Sequence, residues 1–142
     1  MLLHDRTAII TGASRGIGKS IALTFAREGA ALVLICQKDV KGLNVVKKEA
    51  ELLGVKVLTL IGDVASVDFC NDIVKKTVHS FGSISILVNC AGTITRSPIE
   101  EMSNKEWHRV IDVNLHSVLY LCRNVLPVMR KQKYGKIINL TS

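Results

Sequence analysis

Close cysteine pairs are missing from this sequence. Cys36, Cys70, Cys90 and Cys122 stand far apart with no Cys-x-x-Cys pair. That spacing excludes a zinc or iron–sulfur cluster and reads as small buried hydrophobes in a reducing cytosol. The four histidines, His4, His79, His108 and His116, share no metal-ligand spacing with one another or with the cysteines. Long apolar runs are missing too. The stretch Ala30 to Cys36 is among the longest, far short of the roughly 20 residues a membrane-spanning helix needs. Met1 to Arg6 has no basic segment leading into a long apolar stretch, so no secretion signal is expected. There is no internal repeat, linker or low-complexity segment. Acidic residues are missing after Asp112, while Arg123, Arg130, Lys131, Lys133 and Lys136 follow it. The net charge of +7 is therefore concentrated where a helix is expected to end, a place that favours cations. No nucleic-acid-binding motif accompanies the charge, so neither a nucleic acid nor a membrane is expected as a partner.

What is present is globular. Apolar residues make up 48% and charged residues 22% of 142 residues, which predicts one domain over residues 1–142 with one core. Short β-prone runs alternate with helical periods. Strands are expected at Thr7–Ile10, Leu32–Cys36, Val55–Ile61, Ile84–Val88 and Lys136–Leu140. Helices are expected at Ile17–Arg27, Val40–Leu53, Val67–Phe81 and, as one long stretch, Asn104–Lys131. Gly29, Gly54 and Gly82 close the first three. Leu32–Cys36 is apolar throughout, the pattern of a strand buried on both faces. This alternation predicts an α/β fold: a doubly wound parallel sheet with helices on both sides.

The chemistry begins in the first strand-to-helix turn. Gly12, Gly16 and Gly18 fall where a helix opens beyond a strand. Glycines there let the chain turn tightly and let a phosphate reach main-chain N–H groups, with the helix dipole assisting. The spacing is Gly-x-x-x-Gly-x-Gly rather than the Gly-x-Gly-x-x-Gly of many dehydrogenases.

Thr11-Gly12-Ala13-Ser14-Arg15-Gly16-Ile17-Gly18 resembles the cofactor motif of the short-chain dehydrogenase/reductase family. Three further matches follow in order. Asp63-Val64 stands where the family's aspartate meets the adenine ring. Asn89-Cys90-Ala91-Gly92 is similar to the family's Asn-Asn-Ala-Gly, with Cys90 in place of the second Asn. Ile111 to Leu115 carries the family's active-site Asn as Asn114. The resemblance implies a Rossmann-type sheet in the order 3-2-1-4-5, ending here with the fifth strand. It also implies a cofactor site formed by Gly12, Ser14, Arg15, Gly16, Ile17, Gly18, Gln37, Asp63, Val64, Asn89, Ala91 and Gly92.

Lys136 to Ser142 resembles the strand ending in the family's catalytic serine, which maps onto Ser142. The family's tyrosine and lysine follow about a dozen residues later, beyond this sequence. Neither Tyr120 nor Tyr134 has a Lys four residues on, since Asn124 and Ile138 stand there. The resemblance implies hydride transfer between a nicotinamide cofactor and a small carbonyl or secondary-alcohol substrate. Ser142 would polarise the substrate oxygen, and Asn114 would hold a proton-relaying water with its backbone released from the helix ladder. Residues 1–142 alone are expected to be inactive, and the whole protein to be a cytoplasmic homo-oligomer, a dimer or tetramer. The alternative is a complete non-catalytic module for dinucleotide binding or subunit interaction. Gly92 to Leu115 is similar to sugar-acid and polyol dehydrogenases and, somewhat less, to 3-oxoacyl-carrier-protein reductases.

Cofactor choice turns on the end of the second strand. NAD enzymes place an acidic residue there, about 20 residues beyond the glycine motif, to bind the ribose 2′-hydroxyl. Cys36-Gln37-Lys38 supplies no carboxylate, and Arg15 supplies a guanidinium suited to a 2′-phosphate. Asp39 falls where it caps the next helix. NADP is favoured over NAD. Arg96-Ser97-Pro98 reads as a solvated loop and Trp107 as a core or interface residue.

Overall fold

The structure, a computed structural model, describes residues 1–141. Strands β1 (Thr7–Thr11), β2 (Ala31–Cys36), β3 (Val57–Ile61), β4 (Ile86–Asn89) and β5 (Lys136–Asn139) form one sheet in the order β3-β2-β1-β4-β5. Every pairing is parallel. Ile9, for example, stands opposite Val33 of β2 and Leu87 of β4. Helices α1 (Gly16–Arg27), α2 (Val40–Leu52) and α3 (Val67–Phe81) connect the strands. Between β4 and β5 the chain forms α4 (Asn104–Ile111), a π-helical turn (Asp112–His116) and α5 (Ser117–Gln132).

Alternation along the strands builds two cores. Ala8 and Ile10 of β1 and Leu32 and Leu34 of β2 point to one face, against Ala22 and Ala26 of α1 and Leu43 and Val46 of α2. Ile9, Val33, Ile35 and Leu87 point to the other, against Ile73 and Val74 of α3 and Leu121 and Val125 of α5. β2 is covered on both sides, so its buried run is continuous from Leu32 to Cys36. Each fully buried Leu or Ile contributes about 1.5–3 kcal/mol relative to exposure. The small residues of α1 let that helix lie close over β1 and β2.

Side chains decide several element ends. β4 begins at Ile86 rather than Ile84 because Gln132 captures the earlier backbone. Its Oε1 accepts from the Ile84 N–H and its Nε2 donates to the Ile84 carbonyl, both at 2.9 Å. β3 likewise starts at Val57, two residues later than the apolar pattern suggests. Asp39 caps α2 by accepting from the Gly42 N–H at 3.0 Å, Ser66 caps α3, and Ser103 with Glu106 forms a capping box on α4. The expected long helix is interrupted by the π turn that contains Asn114. There the Ser117 hydroxyl donates to the Val113 carbonyl, and His116 Nδ1 lies 2.8 Å from Asp112 Oδ1.

Trp107 does not enter the core. α4 buries none of its residues, and Trp107 is 51% exposed. Cys36 and Cys70 are buried, whereas Cys90 and Cys122 are only partly so. No described helix is long and apolar enough to cross a membrane.

Candidate dinucleotide site

Because all five strands are parallel, their C-terminal ends share one edge. Within the sheet, β2 and β3 lie on one side of β1 and β4 and β5 on the other. A crevice opens at that reversal, the usual ligand position in such sheets. It is a cavity of about 720 Å³, running from the turn after β1 to the loops after β2 and β3. Its walls include Gly12, Ser14, Arg15, Gly16, Ile17 and Gly18, then Gln37, Asp63 and Val64, and on the far side Ala91 and Gly92. Eleven of the sequence-derived positions therefore meet around one space. Two others, Asn89 and Asn114, are not in its wall, and Ser142 lies outside the described residues.

The glycine turn is built for close approach. A Cβ on Gly18 would overlap the Gly12 carbonyl oxygen, so the first turn of α1 can pack against the turn before it only if residue 18 has no side chain. Gly16 differs. Its φ is +56°, in the left-handed region, and a Cβ there would meet nothing within 4 Å. The space in front of Gly16 belongs to the cavity. α1 is also the one N-terminus among α1 to α4 without a side-chain cap, and its first turn carries no acid. Its leading N–H groups and positive dipole end are left for an anion. Arg15, at the cap position, is exposed and lines the cavity. These residues fit the pyrophosphate of a dinucleotide.

Thr11 ties this turn to the opposite wall. Its Oγ1 accepts from Cys90 N–H at 3.0 Å and Ala91 N–H at 2.9 Å. Asn114 fixes the next stretch: Oδ1 accepts from Thr93 N–H at 2.8 Å and Nδ2 donates to the Thr93 carbonyl at 2.9 Å. The side chain thus grips the loop after β4 from the π turn. Asn89 points elsewhere. Its Nδ2 donates to Asn139 Oδ1 at 2.8 Å, joining β4 to β5. The next residue, Cys90, lines the cavity, and burial pushes its thiol above its ordinary pKa.

At the other end Asp63 is held from two sides. Oδ1 accepts from Ala65 N–H at 2.9 Å, and Oδ2 accepts from Arg109 Nη1 at 2.6 Å. Arg109 Nη2 also donates to Gln37 Oε1 at 3.3 Å. Burial raises the Asp63 carboxyl, but hydrogen bonds from Arg109 and Ala65 and the charges of Arg109 and Lys38 outweigh it. The net effect holds Asp63 below its usual pKa. A smaller cavity of about 590 Å³ lies beyond Arg109, between residues 93–97 and α4. There Glu106 Oε1 accepts from Ser97 Oγ at 2.6 Å and Oε2 from Ser103 N–H at 2.9 Å. Donation by Ser97, then by Ser103, lowers the Glu106 pKa to about 2.

Thr11, Thr93, Glu106 and Arg109 are the site residues that motif reading passes over. Two of them left a trace in the sequence: Thr11 as the first residue of the Thr11–Gly18 motif, and Glu106 as the fourth residue of the Ser-x-x-Glu capping box.

Residues 6–142 match the model of the family described as short chain dehydrogenase. An uncharacterised oxidoreductase of Staphylococcus saprophyticus is 41% identical over 140 residues, covering 99% of this chain and 60% of the relative. A 3-oxoacyl-[acyl-carrier-protein] reductase of Staphylococcus epidermidis is 38% identical over 138 residues, covering 97% of this chain and 57% of the relative. The crystal structure of a metagenomic short-chain oxidoreductase in complex with NADP superposes with a TM-score of 0.94 at 34% identity, over 100% of this chain and 64% of that one. The chain thus spans about three fifths of the length of such relatives. With the five-stranded sheet, the glycine turn and the match over nearly all its residues, this chain belongs to the short-chain dehydrogenase family.

Proposed function

We propose that the protein is an NAD(P)-dependent oxidoreductase, and that these residues form its cofactor half. The observation that carries the reading is the uncapped N-terminus of α1 opening, through Gly16, onto a cavity that extends to Gln37 and Asp63. When bound, the nicotinamide cofactor supplies the hydride acceptor or donor for a carbonyl or secondary-alcohol substrate. Gly12 to Gly18 hold the pyrophosphate, with Ser14 and Ile17 contributing to the same wall. Asp63 and Val64 receive the adenine, and Ala91 and Gly92 form the opposite wall. Asn114 keeps the loop carrying Gly92 and Thr93 in place beside the nicotinamide end, and Ser142 polarises the substrate oxygen.

The reading favours NADP. Arg15, Gln37, Lys38 and Asp39 line the cavity at this end, and Asp39, the carboxylate nearest the end of β2 in sequence, is engaged by the Gly42 N–H as the cap of α2. A guanidinium and an ammonium there suit a 2′-phosphate better than a 2′-hydroxyl. The proposal extends to a cytoplasmic homo-oligomer. Trp107, Leu115 and Leu119, each more than half exposed along α4, the π turn and α5, support an assembly surface. The test is to titrate the protein, at its full natural length, with NADPH and NADH and to assay reduction of a carbonyl panel. Micromolar NADPH binding with turnover is expected, and no binding of either dinucleotide would overturn the assignment.

A further inference from the structure

Arg109 is the charged residue of α4 that reaches across to the sheet. Its guanidinium spans three elements, donating to Asp63 beyond β3 and to Gln37 beyond β2 while its own backbone lies in α4. It also stands between the two cavities, lining both. The 2.6 Å contact to Asp63 is short and charge-assisted, and the 3.3 Å contact to Gln37 is the weaker arm. Each Asp63 oxygen thus accepts one bond from the protein, Oδ1 from Ala65 and Oδ2 from Arg109.

An ionised carboxylate has about four acceptor sites and no proton to give. Two sites remain on Asp63, and they accept only from a donor. We propose that Arg109 is a positioning residue that makes Asp63 a reader of the cofactor's base, selecting a purine that presents an exocyclic amino group over one that presents a carbonyl there. This rests on the dinucleotide reading of the cavity and deepens it. Arg109 Nη1 on Oδ2, with the guanidinium itself tied to Gln37 through Nη2 and opposed by Ala65 N–H on Oδ1, fixes the plane of the carboxylate, so its free sites keep one direction. Without Arg109, Oδ2 loses its protein partner, the carboxylate can turn about its remaining bond to Ala65, and its free sites no longer stay aimed at the base. Arg109 acts through Asp63, because its own N–H groups repel an amino group and would favour the opposite base.

The experiment uses the protein at its full natural length and two reduced cofactors that differ only at the base edge, NADPH and nicotinamide hypoxanthine dinucleotide phosphate. Dissociation constants are measured by fluorescence titration for wild type, Arg109→Met and Arg109→Lys. Wild type is expected to prefer NADPH by about tenfold or more, the worth of a hydrogen bond to a charged group. Arg109→Met should bring the two constants within about threefold of each other, chiefly by weakening NADPH. Arg109→Lys keeps the charge but loses the fork, and should fall between them. If Arg109→Met does not fold, the lysine variant carries the comparison. A role in folding alone would weaken both cofactors in the same ratio, and that result overturns the proposal. A wild-type protein that binds both equally overturns base reading by Asp63. A wild-type protein that binds neither overturns the dinucleotide site itself, and the inference with it.

Discussion

Gly16 and Gly18 lie two residues apart, yet alanine at each should fail for a different reason. At Gly18 the added Cβ overlaps the Gly12 carbonyl, and its next contacts are also backbone, including Ala13 Cα at 3.1 Å. Backbone cannot swing aside as a flexible side chain does. α1 must therefore move away from the turn, weakening its packing on β1 and β2 through Ala22 and Ala26. Overpacking of this kind costs about 1–3 kcal/mol, and the upper part of the range applies because the obstacle is main chain. At Gly16 the Cβ meets nothing within 4 Å, so the cost is conformational. Holding a non-glycine residue at φ +56° costs about 1–2 kcal/mol. Urea denaturation of the full-length protein should therefore show Gly18→Ala losing more stability than Gly16→Ala. Cofactor titration should separate them further. Gly16→Val places its side chain in the space assigned to phosphate and should abolish measurable NADPH binding while the protein remains folded. Wild-type stability in Gly18→Ala would refute the close approach of α1 to the turn. Wild-type NADPH affinity in folded Gly16→Val would refute the phosphate position.

Arg15→Ala should weaken NADPH about tenfold or more and leave NADH nearly unchanged, since a bond to a charged phosphate is worth about 1.5–3 kcal/mol; parallel losses in a titration would show that Arg15 does not read the 2′-phosphate. Glu106→Gln should loosen residues 93–103, read by faster amide exchange there. The Glu106 pKa is lowered from 4.5 to about 2, so the stabilisation it confers is complete above pH 4.5 and disappears as pH falls towards 2. The stability gap between wild type and Glu106→Gln should narrow over that window, and a gap that widens on acidification would refute the assigned sign. Residues Met1–Ser142 expressed alone should show no turnover and should aggregate on size-exclusion chromatography. β5 is an open edge with Ile138 43% exposed, and Leu119 of α5 is 54% exposed. A soluble monomer would refute the edge reasoning, and turnover would refute the requirement for a Tyr-x-x-x-Lys beyond Ser142.

Local pattern was enough to read the elements. The short β-prone run of β1, the unbroken apolar run of β2 and the helical periods of α1 to α3 follow from which faces must be buried. Each is decided by residues within a turn or two of one another. The glycine turn was legible for the same reason, because steric demands at Gly16 and Gly18 arise within eight residues of chain, and Asp39 was readable as a cap three residues before Gly42. The π turn at Asn114 followed from the family resemblance, and the structure has it at Asp112–His116. What only the tertiary structure decided are the contacts made across the sheet's C-terminal edge. Arg109 meets Asp63 across 46 residues of sequence, Asn114 meets Thr93 across 21, and Thr11 meets Cys90 across 79. No periodicity encodes such pairs. Asn89 meets Asn139 across 50 residues, through the pairing of β4 with β5. Trp107, apolar enough for a core, stays half exposed because α4 lies at the mouth of the cavity and reaches the sheet through Arg109 rather than through an apolar face. Which strand lies beside which decides where a polar side chain finds its partner, and that order exists only once the two cores have closed.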